Sequence, residues 1–227
     1  MLARRWAVLI GGFAAFAIGV AFWIGGGGNG KQHPIPAGGV DRDLYADAPA
    51  SFGPLLAGMP PILDRRNIYS ADAPMDLSPA VRGDIPMVYV PNSVSNTVSE
   101  IDPANDRVVR TFPVATEPQH VVPSWDLKTL WVTSDLGNAL TPIDPRTGIP
   151  GKPLSIRDPY NLYFTPNGRF AIVVAERFES LDFRNPHTMK LKHALKVPCP
   201  GVDHMDFSAN GQYLVASCEF GSKLIKV

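Results

Sequence analysis

Three pairs of polar residues in the C-terminal half of the chain could do chemistry. Each pair joins a histidine or asparagine to a carboxylate fifteen residues later: His120 with Asp135, Asn161 with Glu176, and His204 with Glu219. An imidazole or amide beside a carboxylate can bind a cation, a metal ion or a polar ligand. The carboxylate is also expected to raise the pKa of the histidine next to it. These six residues are the candidate ligand-binding site.

The sequence contains none of the compact motifs that define the common enzyme classes. It has no C-x-x-C pair, haem-attachment motif, H-E-x-x-H, P-loop or G-x-S-x-G. Its 21 basic and 21 acidic residues cancel, so nucleic acid is not an expected partner. These features favour binding over catalysis, and they identify no cofactor.

The elements that must position the six residues are short strands that recur about every 42 residues. Asp126, Asn167 and Asn210 each open a turn after a short apolar stretch, at spacings of 41 and 43 residues. The stretch EIDPANDRVV at 100–109 recurs as PIDPRTGIPG at 142–151. Four short strands in a unit of this length are typical of a β-propeller blade. The fold class is therefore predicted to be all-β.

Residues 88–124 resemble the repeat of the YVTN-type (YncE-like) β-propeller family. They read VYVPNSVSNTVSEIDPANDRVVRTFPVATEPQHVVPS, and weaker copies extend the resemblance over residues 86–227. The resemblance implies about seven blades, of which this chain supplies about three and a half, so the chain is interpreted as truncated. The third copy is expected to lack four residues between its second and third strands. The predicted blades are residues 86–126, 127–168, 169–211 and an incomplete 212–227.

The blade topology implies that the three polar pairs share one face. The first strand of a blade runs down from the top face and the second strand returns to it. The six residues are therefore expected to surround the mouth of the central channel, where they could bind a ligand. In the alternative interpretation, these residues tie neighbouring blades together through hydrogen bonds, and the carboxylates are solvated.

The two cysteines lie at the same end of a predicted hairpin. Cys199 precedes its first strand and Cys218 ends its second. In an exported domain such a pair favours a disulfide. Two free buried thiols, or ligation of a metal ion together with His204, are the alternatives.

The N-terminal segment, residues 1–24, is predicted to be a membrane anchor. Its core, residues 6–24, is nineteen uncharged and mostly apolar residues, enough for a helix of about 28 Å. Arg4 and Arg5 precede it, so the positive-inside rule places the rest of the chain outside the cytoplasm. A cleaved signal peptide, which would leave a secreted protein, is the alternative. Residues 25–85 read as a Gly- and Pro-rich tether and pre-domain coil, part of which packs on the propeller.

Two functions are compatible with these features. The first is a membrane-tethered extracytoplasmic scaffold that binds a protein, a cell-envelope polymer or a small molecule at its top face without catalysis. The second is a metal- or haem-dependent redox enzyme, or a lactonase-like hydrolase, which would use the histidines and acids of the top face.

Overall fold

The computed structural model describes residues 53–72 and 76–227. These residues form four antiparallel sheets that follow one another along the chain. The two central sheets have four strands each, and the first and last have three. In chain order, the strands are β1 Val88–Asn92, β2 Thr97–Asp102, β3 Arg107–Pro113, β4 Pro118–Pro123, β5 Leu130–Ser134, β6 Ala139–Ile143, β7 Leu154–Ser155, β8 Asn161–Phe164, β9 Ala171–Ala175, β10 Ser180–Arg184, β11 Leu191–Lys196, β12 Val202–Phe207, β13 Leu214–Cys218 and β14 Lys223–Lys226. The all-β prediction is confirmed.

The sheet boundaries do not coincide with the predicted blade limits. Hydrogen bonds pair β4 with β5, β8 with β9 and β12 with β13. Each predicted limit, after residues 126, 168 and 211, falls in the turn that joins such a pair. A repeat has the same period wherever it is cut, so the period alone does not show where a sheet begins.

The sheets stack face to face, as expected for strands that cannot bury both faces within one sheet. Strand β9 shows this most clearly because all five of its residues are buried. Ala171 and Val173 pack against the second sheet with Leu140, whereas Ile172 and Val174 pack on the fourth sheet's side. A strand that is buried on both faces has apolar residues at every position, as β9 does.

Every sheet has one equivalent turn of four residues, whose last residue has a left-handed backbone conformation. These turns join β1 to β2, β5 to β6, β9 to β10 and β13 to β14. The final residues are Asn96, Asn138, Glu179 and Ser222, with φ between 46° and 57°. The expected shortening of the third repeat is therefore wrong, because β9 and β10 are separated by the same four-residue turn. Asparagine tolerates this conformation better than other non-glycine residues, and its replacement by Glu179 hid the equivalence.

These four-residue turns all lie at one end of the stack, which we call the top face. They are residues 93–96, 135–138, 176–179 and 219–222. The opposite end contacts the pre-domain segment, residues 53–72. Leu56 N–H donates to the Asn167 carbonyl at 2.8 Å, and the Tyr69 hydroxyl both donates to and accepts from the backbone of Phe207. The pre-domain segment thus packs against the bottom of the third and fourth sheets.

The predicted membrane anchor, residues 1–24, lies outside the described residues, as does about half of the predicted tether and pre-domain coil, residues 25–85. Within residues 53–72 and 76–227, no helix is long and apolar enough to cross a membrane.

Candidate functional site

Three aromatic rings from different repeats meet at the top of the innermost strands. The ring centroids of His120 and His204 are 5.1 Å apart, and their planes are nearly perpendicular. Tyr160 lies 5.3 Å from His120 and 5.9 Å from His204. The structure therefore brings the two predicted histidines together, and it adds a tyrosine that sequence reasoning did not single out.

His120 is held by the backbone that leads into the next sheet. Its Nδ1 lies 2.9 Å from the carbonyl oxygen of Tyr160, which is an acceptor, so Nδ1 carries the proton and Nε2 keeps the lone pair. The Thr133 hydroxyl donates to the same oxygen and accepts the His120 backbone N–H. Burial lowers the pKa of His120, and the nearby His204 lowers it further. The expected rise in the pKa of His120 is wrong, because desolvation outweighs the Tyr160 carbonyl and the Asp203 carboxylate, which favour the protonated form.

Asn161 also links two neighbouring sheets. Its side-chain amide donates to the Tyr163 hydroxyl at 2.9 Å and lies 3.3 Å from Nδ1 of His204. The Tyr163 hydroxyl in turn accepts the backbone N–H of Met205. In this structure, His120 and Asn161 both make the inter-sheet contacts that the alternative interpretation describes.

The three predicted acids, Asp135, Glu176 and Glu219, are the first residues of three top turns. The pKa values of Asp135 and Glu176 are both raised. Burial raises the pKa of Asp135, and the Leu136 N–H that its carboxylate accepts partly offsets this. Burial also raises the pKa of Glu176, to about 7, and the negative charges of Glu219, Asp135 and other acids add to the rise. Such a shift indicates carboxylates that lack enough positive neighbours.

Arg177, the residue that follows Glu176, already has a carboxylate partner. Arg177 donates from Nε to Asp158 at 2.5 Å and from its backbone to the same carboxylate at 2.9 Å. Its Nη2 donates to the Asp135 backbone oxygen at 2.9 Å. Asp158 is fully buried, so this ion pair fixes the top turn of the third sheet and leaves little charge to neutralise Glu176.

A cleft of about 380 Å³ opens between these groups. Of the six predicted site residues, only Asp135 and Glu176 line it. The two histidines and Asn161 are not part of its lining, and Glu219 acts on Glu176 through its charge. The full lining is Glu117, Asp135, Leu136, Glu176, Arg177, Glu179, Pro200, Gly201 and Phe220. The cleft therefore has four carboxylates and one arginine among its walls.

The structure joins Cys199 and Cys218 in a disulfide with a Cα–Cα distance of 5.0 Å. Both cysteines are buried. The bridge ties the linker that contains Pro200 and Gly201 to the end of β13, and hence to the turn that contains Phe220. It thus joins two walls of the cleft. Within the part of the chain that the structure describes, no group of three or more His, Cys, Asp or Glu side chains could hold a metal ion.

Sequence reasoning missed Tyr160, Asp158 and Arg177. One signal could have identified Asp158. It lies 41 residues after Glu117, which is about one repeat. The structure shows that the two positions are equivalent: both residues have a left-handed backbone, and the N–H of each is accepted by the Asn side chain of the preceding top turn. The role of Arg177 had no such signal, because the equivalent residues in the other turns are apolar.

The stacked antiparallel sheets of three or four strands and the polar end of the stack define a β-propeller with an acid-lined top face. The chain belongs to the YNCE-like beta-propeller family, whose family model matches residues 57–198. This confirms the resemblance found in the sequence. The comparison with curated proteins gave no match.

The solved structures that match this chain include a hydrazine synthase and a dihydro-heme d1 dehydrogenase. Hydrazine synthase of Kuenenia stuttgartiensis has 19% sequence identity and a TM-score of 0.51, over 59% of this chain and 39% of that one. The dihydro-heme d1 dehydrogenase NirN, in complex with DHE, has 19% identity and a TM-score of 0.48, over 64% of this chain and 33% of that one. The present chain thus spans well under half of either protein, and the likeness concerns the fold alone.

Proposed function

We propose that this chain is a membrane-tethered, extracytoplasmic β-propeller that binds a positively charged ligand at its top face and catalyses no reaction on it. The observation that carries the proposal is the group of carboxylates around the cleft. Glu176, whose pKa is raised to about 7, faces the charges of Glu219 and Asp135, while Arg177 is paired with Asp158. A cation in the cleft would relieve this repulsion, because opposite charge favours ionised carboxylates.

The geometry of the histidines favours binding over catalysis. A nucleophile and its base must lie within hydrogen-bond reach of each other and of a bound substrate. Here Nδ1 of His120 is engaged by the Tyr160 carbonyl, and His204 is adjacent to Asn161. Both histidines therefore make contacts between neighbouring sheets.

The proposed location outside the cytoplasm is supported by two features. The uncharged stretch at residues 6–24 has the length of a membrane span and follows two arginines. The Cys199–Cys218 disulfide is the kind of bond that persists in oxidising compartments. Two separate experiments test these points. Extraction of membranes with alkaline carbonate tests the tether, and protease treatment of intact cells and spheroplasts tests the location. The chain should stay with the membrane and be cleaved from outside; release into the soluble fraction would contradict the tether.

A metal-dependent function is not supported by the donor set. The lone pair on Nε2 of His120 and the adjacent His204 could supply two nitrogen ligands. A catalytic zinc site in a protein ordinarily has three protein ligands, and the described residues contain no such group. We therefore derive no chemical step through a metal ion or a haem.

The binding proposal can be tested with N-acetylated tetralysine amide as the probe. Isothermal titration of the full chain in lipid nanodiscs at pH 8 should show saturable binding, and Glu176→Gln should weaken it about fivefold. Asp106→Asn is the matched control, because it removes an exposed carboxylate from a turn at the bottom of the first sheet. Equal affinities of the two variants, or no saturable binding, would overturn the proposal.

A further inference from the structure

The top turns carry exposed apolar side chains at a repeated position. The second residue of the four-residue turn is Val94, Leu136 and Phe220 in the first, second and fourth sheets, with exposed fractions of 100%, 47% and 72%. In the third sheet, this position is Arg177, and the apolar residue is the next one, Phe178, which is 39% exposed. Single exposed apolar residues are common on protein surfaces, but a set at one end of every sheet indicates an interaction surface.

Phe220 is the more exposed of the two phenylalanines, and its ring is held in a defined position. Its ring packs on Gly201 so closely that a Cβ there would come within 2.5 Å of the ring. The backbone N–H of Phe220 donates to the Pro200 carbonyl, and that of Glu219 to the Gly201 carbonyl. The buried disulfide fixes the same linker. The ring is thus preorganised, which lowers the entropic cost of contact with a partner.

Carboxylates alternate with these apolar side chains around the cleft. Asp135, Glu176 and Glu219 occupy the first position of the three turns that also carry Leu136, Phe178 and Phe220. In the second and fourth sheets the acid directly precedes the exposed apolar residue, whereas Arg177 stands between Glu176 and Phe178. Asp135 is itself buried but lines the cleft, as do Leu136 and Phe220. The complementary surface has apolar side chains with lysines or arginines beside them.

We propose that Val94, Leu136, Phe178 and Phe220 form a docking surface for a protein segment that has apolar anchor residues flanked by lysine or arginine. This inference rests on the proposed function and names its ligand class. A protein segment fits better than an anionic lipid surface, because the acids would repel the headgroups. It also fits better than a small amine, because apolar groups on four separate sheets need a ligand with several apolar groups.

Fluorescence anisotropy with three labelled fifteen-residue peptides tests the inference. The first peptide combines leucine and phenylalanine anchors with lysines, the second has serine at every anchor, and the third has glutamate for every lysine. Binding is measured to the full chain in zwitterionic nanodiscs, with empty nanodiscs subtracted. We expect the first peptide to bind at least tenfold more tightly than the second and the third to show no binding.

Substitutions on the protein locate the contact. The double variant Val94→Ser with Phe178→Ser should lose at least tenfold affinity for the first peptide and leave tetralysine binding unchanged, because neither residue lines the cleft. Leu191→Ser is the matched control, since Leu191 is 49% exposed but lies at the start of β11, at the bottom of its sheet. Circular dichroism melts verify that all variants fold.

The outcomes separate this inference from the proposed function. If the serine peptide binds as tightly as the first, or the folded double variant keeps full affinity, the docking surface is wrong and the cation site stands. If tetralysine and the two lysine-containing peptides, the first and the second, all fail to bind, both proposals fail.

Discussion

The carboxyl group of Glu176 shows how the propeller changes the chemistry of a single residue. Its pKa of about 7 results first from burial and then from the repulsion of Glu219 and Asp135. At neutral pH, the group is therefore close to half ionised, and its charge depends on what binds in the cleft. His120 shows the opposite effect, because burial lowers its pKa.

The raised pKa of Glu176 predicts the direction in which the stability of the fold changes with pH. Between pH 4.5 and about 7, the folded state binds more protons at this residue than the unfolded state, so its contribution to stability falls as the pH rises through that window. Glu176→Gln should raise the melting temperature at pH 8 by about 2 °C, a small effect because solvent screens this partly exposed group. It should have no effect at pH 4. Thermal melts of both proteins at the two pH values provide the measurement.

The matched control is again Asp106→Asn, which should change the melting temperature at neither pH. A gain at pH 4 equal to that at pH 8 would show that the stabilisation does not come from charge.

At the scale of elements, side chains that reach from one sheet to the next hold the stack together. Arg110 on β3 donates from Nε and Nη2 to the buried carboxylate of Glu100 on β2, at 2.7 and 2.8 Å. The same guanidinium donates to the carbonyl of Gly148 in the second sheet. One residue therefore neutralises a buried acid and links two repeats.

Arg110→Met should destabilise the fold by about 3 kcal/mol, because it leaves the charge of Glu100 buried without a partner. Urea unfolding followed by circular dichroism gives the free energy. Arg107→Met on the same strand is the control, since Arg107 is exposed, and it should cost less than about 0.5 kcal/mol. Equal losses in the two variants would refute the proposed role of Arg110.

The disulfide makes a second prediction at this scale. Cys199 and Cys218 are nineteen residues apart, so the closed loop should stabilise the fold by about 3 kcal/mol. The double variant Cys199→Ser with Cys218→Ser should lose this amount in urea unfolding. It should also weaken binding of the anchored basic peptide, because the linker under Phe220 is released. Unchanged stability and unchanged binding would show that the bridge supports neither the fold nor the docking surface.

At the scale of the whole molecule, the sequence predicted the class of fold because a repeat displays the same pattern several times. The 42-residue period and the apolar strands identified the propeller, and the pairs that are fifteen residues apart placed His120 and His204 on one face. The limits of the sheets were not predictable, since a period has no marked beginning. The turn at 176–179 was also misjudged, because Glu179 replaces the asparagine of the first two copies.

The contacts between repeats could not be derived from the sequence. Arg177 reaches Asp158 and the backbone of Asp135 only because the sheets stack at a particular distance and angle. The acidity of the cleft was hidden for a related reason. The chain has no net charge, and the fold gathers carboxylates at the top face that are far apart in the sequence.

The most direct test of cation binding at the top face is the pH dependence of tetralysine affinity for the full chain. The N-acetylated amide keeps its lysines charged from pH 5 to 8, so any change in affinity reports on the protein. We expect the affinity to rise with pH, with a midpoint near the pKa of about 7 of Glu176, and the rise to disappear in Glu176→Gln. An affinity that does not change with pH, or one that changes equally in the variant, would contradict the proposed site.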